Sequence, residues 1–102
     1  MREVVLGVAT AALLLPALAG AGEHVVTIEG MLFQPATVKV KPGDKVVWRN
    51  KDVVPHTATA AGSFDSGAIA PGKSWTWTAR GKGRKGYVCV YHPGMKATLE
   101  VE

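Results

Sequence analysis

A chain of 102 residues with 12 lysines and arginines against 8 acidic residues carries a formal charge of +4. That length excludes two separately cored domains, and that charge favours acidic partners only weakly. Its one cysteine excludes an internal disulfide, so a small exported domain would need another brace, for which a bound metal is the obvious choice.

In chain order, Met1-Arg2-Glu3 precedes an apolar run over 4–15, then Pro16 and small residues to Ala21. This is a secretory signal pattern, and the run is too short to span a bilayer as a mature helix. Small-x-small cleavage sites end at Ala19 and at Ala21, giving two alternative mature termini. The chain therefore divides into a signal, 1–21, and one exported domain, 22–102, periplasmic or otherwise secreted, with no stable membrane insertion after cleavage.

Short β-type runs then recur between turn signals, at 24–29, 36–41, 45–50, 55–60, 73–79, 86–91 and 96–101. Pro42-Gly43-Asp44, Asn50-Lys51-Asp52, Gly62-Ser63, Pro71-Gly72 and Pro93-Gly94 supply the turn dihedrals. No segment has a helical period, and seven short strands predict an all-β sandwich. Val38 with Val40, Val46 with Trp48, and Trp75 with Trp77 alternate with polar residues and are the core candidates. Arg80, Lys82, Arg84 and Lys85 lie in a glycine-punctuated stretch that reads as a solvated loop. Export argues against nucleic acid as its partner.

A lone thiol in an oxidising compartment is open to oxidation unless something occupies it. Cys89 is followed by His92 and Met95 at successive intervals of three, with Pro93-Gly94 expected to bend the chain between them. A second imidazole is available from His56, after the Asn50-Lys51-Asp52 turn. Taken singly, the methionine reads as core filler, the histidine as a surface group and the cysteine as a small buried hydrophobe. Taken together, two imidazoles, a thiolate and a weak thioether describe a blue-copper site, whereas zinc would favour a fourth Cys, His or carboxylate over methionine.

With these residues in view, the chain resembles the cupredoxins, the small plastocyanin-like and amicyanin-like type I copper proteins. The likeness spans nearly all of 24–102. It includes Val26-x-Ile28, Phe33-x-Pro35, Pro42-Gly43-Asp44, Val47-Trp48-x-Asn50-x-Asp52, Pro55-His56-Thr57, Phe64-Asp65-Ser66-Gly67, Pro71-Gly72 and Gly86-Tyr87-x-Cys89. The short loop from Cys89 to Met95 looks most like the amicyanin type. Lys85 departs from the family's usual aromatic four residues before the cysteine, and Ala97 from its usual glycine.

The resemblance implies a Greek-key sandwich of seven to eight strands holding one copper ion with His56, Cys89, His92 and Met95. It implies that Asn50 ties the His56 and Cys89 loops together and that the Thr57 amide donates to the sulfur. His92 would be the electron port, in an apolar patch formed by Pro55, Pro93 and Met31 or Phe33. The protein would then be a monomeric electron carrier, not an enzyme, serving redox partners such as a c-type cytochrome, a dehydrogenase or an oxidase. With His24, His56 and His92 as its three histidines, it could not build the second copper centre of a multicopper enzyme. The alternative is copper trafficking or resistance: cleavage after Ala21 would expose Gly22-Glu23-His24, whose amine, amides and imidazole form a square-planar Cu(II) site.

Overall fold

A computed structural model describes residues 21–102, in which nine strands and no helix are found. They are β1 (Glu23–Glu29), β2 (Leu32–Gln34), β3 (Thr37–Val40), β4 (Lys45–Asn50), β5 (Thr59–Ala60), β6 (Phe64–Asp65), β7 (Ser74–Thr78), β8 (Gly83–Cys89) and β9 (His92–Val101). One sheet has the order β2-β1-β4-β7 and the other β3-β9-β8-β5-β6. The pairs β1/β4 and β3/β9 are parallel and the rest antiparallel. The expected all-β sandwich is thus present, with two more strands than the turn pattern indicated.

Alternation decides which residues enter the core. In β1, Val26 and Ile28 are buried, and in β4, flanked by a strand on each side, Val46, Val47 and Trp48 all are. From the facing sheet come Val40, Phe64, Tyr87, Leu99 and Val101. Aromatic rings join the layers: Phe33 meets Tyr87 edge-on at 4.8 Å, Trp48 meets Tyr87 at 5.5 Å and Phe64 at 5.3 Å, and Phe64 meets Trp77 at 4.7 Å. Each such pair adds roughly 0.5–1.5 kcal/mol beyond simple burial. Val38 and Trp75 are partly buried against this cluster, and Val40, Val46, Trp48 and Trp77 lie within it.

Three local expectations are corrected. The strand β2 was hidden because its hairpin turn is Gly30-Met31, both with positive φ (64° and 61°), and methionine is not a residue that signals a left-handed turn. The run 55–60 is mostly loop: His56 forms an isolated bridge to Ile69, and regular pairing begins only at Thr59. The basic stretch is half strand, because β8 begins at Gly83; Arg84 approaches Glu100 at 3.6 Å, and the Arg80 guanidinium lies 5.9 Å from the Trp77 ring centre.

The parallel pairing of β1 with β4 sets the two ends of the sandwich apart. Glu23 pairs with Lys45 at one end, and Ile28 pairs with Asn50 at the other, where the His56 loop departs. The signal assignment, apart from Ala21, lies outside the described residues. Among those described, no helix is long and apolar enough to cross a membrane.

Candidate metal centre

Cys89 is the last residue of β8 and His92 the first of β9, and the two pair across a hairpin whose turn is Val90-Tyr91. The bend between thiol and imidazole is therefore at Val90-Tyr91, while Pro93-Gly94, expected to form a turn on the way to Met95, lies inside β9. Proline and glycine serve a different purpose. Val88 pairs with Lys96 while Cys89 pairs with His92, so the register slips and Pro93, Gly94 and Met95 are extra residues in β9. A bulge of this kind re-aims side chains. It turns Met95 inward, buried in the core cluster at the same end as Cys89.

His56 reaches the same point from the loop that leads into β5, the strand flanking β8 on the side away from β9. Its amide donates to the Ile69 carbonyl at 3.2 Å, and its carbonyl accepts from the Ile69 amide at 2.7 Å, which fixes the backbone. Its Nδ1 lies 3.6 Å from Cys89 Sγ, the His92 Nδ1 lies 3.9 Å from the same sulfur, and the two rings are 5.4 Å apart. One donor atom from each of His56, Cys89 and His92 falls within 4.8 Å of the others. His56 and Cys89 are wholly buried; His92 is partly exposed.

The surroundings hold these groups in place. Asp52 Oδ2 accepts the Nε2 proton of His56 at 2.8 Å, which leaves Nδ1 of that ring free to act as a donor atom. Burial opposes the charge on Asp52, but the amides of Met31 and Gly30, at 3.0 and 2.7 Å, and the His56 imidazole together hold its carboxyl below the ordinary range. Asn50 donates from Nδ2 to the carbonyls of Val54 and Ile69, both at 2.9 Å, and accepts the Asp52 amide. It thus closes the His56 loop on the Ile69 segment. The tie to the Cys89 strand is made by Thr57, whose amide donates to Cys89 Sγ at 3.4 Å and whose hydroxyl accepts the Val90 amide at 2.9 Å.

The apolar rim differs from expectation in composition. Phe33 is buried against Tyr87 and takes no part in it. Met31, Pro55 and Pro93 are exposed, as are Val53 (91%), Val54, Val90 (51%) and Tyr91 (50%). The last four flank the candidate ligands in loops and could have been noticed, since apolar pairs in turn positions have no core to face. Asp52 was legible only as a turn residue, although it stands one helical-turn's length before His56.

His24 lies at the far end. Its Nε2 donates to Asp44 at 2.9 Å, and Asp44 also accepts the amides of Gly22 and Lys41. The Lys41 and Gly22 amides and the His24 side chain draw the Asp44 carboxyl down to about 2. Lys45 donates to the Gly22 carbonyl at 2.8 Å as β1 and β4 begin to pair. The Gly22 nitrogen and the His24 Nε2 are thus both engaged with Asp44.

The donor set suits a soft, late transition metal. Two neutral imidazole nitrogens, a thiolate and a thioether match copper, whereas magnesium or calcium would require oxygen ligands. A sequence model for copper binding proteins of the plastocyanin/azurin family matches residues 21–102. Chloroplast plastocyanin from Tetradesmus obliquus is 38% identical over 76 residues, covering 63% of this chain and 52% of that protein. Amicyanin-alpha from Methylorubrum extorquens is 32% identical over 109 residues, covering 92% of this chain and 88% of its own. The Cu(I) form of an amicyanin mutant superposes with a TM-score of 0.74 at 29% identity, over 79% of this chain and 83% of that one.

Proposed function

The chain belongs to the plastocyanin/azurin family of copper binding proteins, and we propose that it is an exported electron carrier, cycling copper between Cu(II) and Cu(I) as it moves between redox partner proteins. The observation that carries this reading is the convergence of one donor atom each from His56, Cys89 and His92 within 4.8 Å, with Met95 buried in the same core cluster as Cys89. His56, Cys89, His92 and Met95 would hold the metal, which when bound supplies a one-electron couple.

The protein's own part is to resist rearrangement. His56 is pinned by its backbone bridge to Ile69 and by Asp52. Cys89 Sγ accepts the Thr57 amide, which fixes the sulfur against the His56 segment. The Cys89–His92 pairing and the bulge after it set His92 and Met95 on one rigid hairpin. A site that keeps one geometry in both oxidation states exchanges electrons quickly. His56 is buried while His92 is partly exposed amid exposed apolar residues, so His92 is the route by which electrons enter and leave.

Val53, Val54, Pro55, Val90, Tyr91 and Pro93 surround that route and offer an apolar face for brief docking of a c-type cytochrome, dehydrogenase or oxidase. The chain's histidines are accounted for by this one centre and by the His24–Asp44 pair, which supports a carrier and not an enzyme. Export to the periplasm rests on the signal pattern over 1–21 and on the plastocyanin and amicyanin likeness.

Addition of Cu(II) to the purified protein, followed by visible absorption and electron paramagnetic resonance with Cys89→Ala as control, tests the proposal. An intense thiolate-to-copper band with narrow hyperfine splitting, lost in the control, is the expected result. A weak tetragonal signal that survives in Cys89→Ala would overturn it.

A further inference from the structure

Behind the hairpin turn runs a line of hydrogen bonds that the copper-site reading leaves unexplained. The Val90 amide donates to Thr57 Oγ1 at 2.9 Å, Thr57 Oγ1 and Thr59 Oγ1 are 2.9 Å apart, and Thr59 Oγ1 donates to Asp65 Oδ1 at 3.0 Å. Thr57 is buried, Thr59 half-buried and Asp65 exposed, so the line runs from the ligand hairpin to solvent. Its length in sequence is large: Val90 and Thr57 are 33 residues apart.

The proton direction along it is settled by counting donors. A hydroxyl has one hydrogen, and an ionised carboxylate can only accept. The Thr59 hydrogen is spent on Asp65, so Thr59 Oγ1 can only accept from Thr57. The Thr57 hydrogen is then spent on Thr59, and its lone pairs are left facing the Val90 amide. The terminal bond to a carboxylate is charge-assisted, and bonds arranged head to tail strengthen one another.

We propose that Thr59 and Asp65 are positioning residues for the copper site: through the Thr57 hydroxyl they lock the Cys89-Val90 peptide, and with it the turn that sets Cys89 against His92. The inference rests on the proposed copper function for its consequence, though not for the relay itself. Asp65 also accepts the Gly67 amide at 3.0 Å, so its removal disturbs a neighbouring loop. Thr59 is therefore the better probe. Valine at that position keeps the β-branched shape and removes only the hydroxyl.

The test is amide hydrogen exchange, read residue by residue by nuclear magnetic resonance, on the metal-free and the Cu(I)-loaded protein. It compares Thr59→Val, Thr59→Ser and the parent, with copper release to a chelator as the second readout. In Thr59→Val the Val90 amide is expected to exchange about fivefold faster or more, while Tyr87 and Val88 in the same strand keep their rates. Copper should leave faster by a similar factor, and Thr59→Ser should restore both. Unchanged Val90 exchange in Thr59→Val, or a uniform rise across β8 and β9 that serine does not reverse, would overturn the proposal. Because exchange in the metal-free protein reports the relay alone, its failure is distinct from a failure to bind copper, which the Cys89→Ala comparison detects.

Discussion

Asp52 accepts the Nε2 proton of His56 at 2.8 Å, while Nδ1 of the same ring faces Cys89 Sγ at 3.6 Å. The same carboxylate accepts the two amides of the Gly30-Met31 turn. One side chain thus fixes both the tautomer of a buried imidazole and the hairpin beside it. A carboxylate in this position also raises the basicity of the ring nitrogen that faces the metal.

Asp52→Asn replaces one accepting oxygen with an amino group, which must then confront an N–H from the turn or from His56. Cu(II) affinity should fall about tenfold or more, and the reduction potential should rise because the oxidised state loses more. Competition with a chelator and voltammetry measure the two effects. Unchanged values would show that Asp52 serves the hairpin alone.

Met31 is the single non-glycine residue with positive φ among those described. A β-carbon in that region costs roughly 1–2 kcal/mol, and asparagine tolerates the conformation better than methionine. Met31→Asn should therefore raise stability by about 0.5–1 kcal/mol in urea unfolding. A loss of stability would show that packing of the methionine side chain outweighs the strain.

Asp44 governs acid tolerance at the far end. Its carboxyl is drawn from 3.8 to about 2 by the Lys41 and Gly22 amides and by His24. A lowered folded value means that its stabilisation is fully present above the unfolded value near 4 and is lost as pH falls through about 2. In Asp44→Asn this acid-dependent loss should disappear from the stability-against-pH curve. A parent and variant that decline in parallel over that window would contradict the assignment.

Tyr87 governs the alkaline side. Burial pushes its phenol from 10.0 to about 12. Its stabilisation is complete below pH 10 and is lost as pH rises through about 12, amounting to about 3 kcal/mol. Tyr87→Phe should flatten that alkaline decline, as measured by denaturant midpoints. An equally steep fall in the variant would place the alkaline weakness elsewhere.

Lys82 and Arg84 lie at the other end of β8 from Cys89. Cys89 lies six residues along the strand from Gly83, about 20 Å, against a screening length of about 8 Å at physiological ionic strength. Lys82→Gln with Arg84→Gln should change partner association by less than about twofold at that salt. A large drop in on-rate would show that this end takes part in docking.

The candidate ligands were legible in the sequence because sulfur and imidazole are rare here and three of the four stand within seven consecutive residues, Cys89 to Met95. The sandwich was legible because period-two burial at Val46 and Trp48, or at Val38 and Val40, is imposed by strand geometry itself. What spacing could not convey is which atoms meet across sheets. The turn at Val90-Tyr91 depends on the register slip between β8 and β9, the burial of Phe33 on its contact with Tyr87, and the partners of Asn50 on where Ile69 passes. Asp52 read as a turn residue, Thr59 as part of a strand and Asp65 only as part of a family motif, until the fold placed His56 and Thr57 beside them. Local chemistry along the chain named the groups able to hold a metal. The tertiary structure alone decided which groups hold those ligands still, because each such bond joins segments whose separation only sheet register determines.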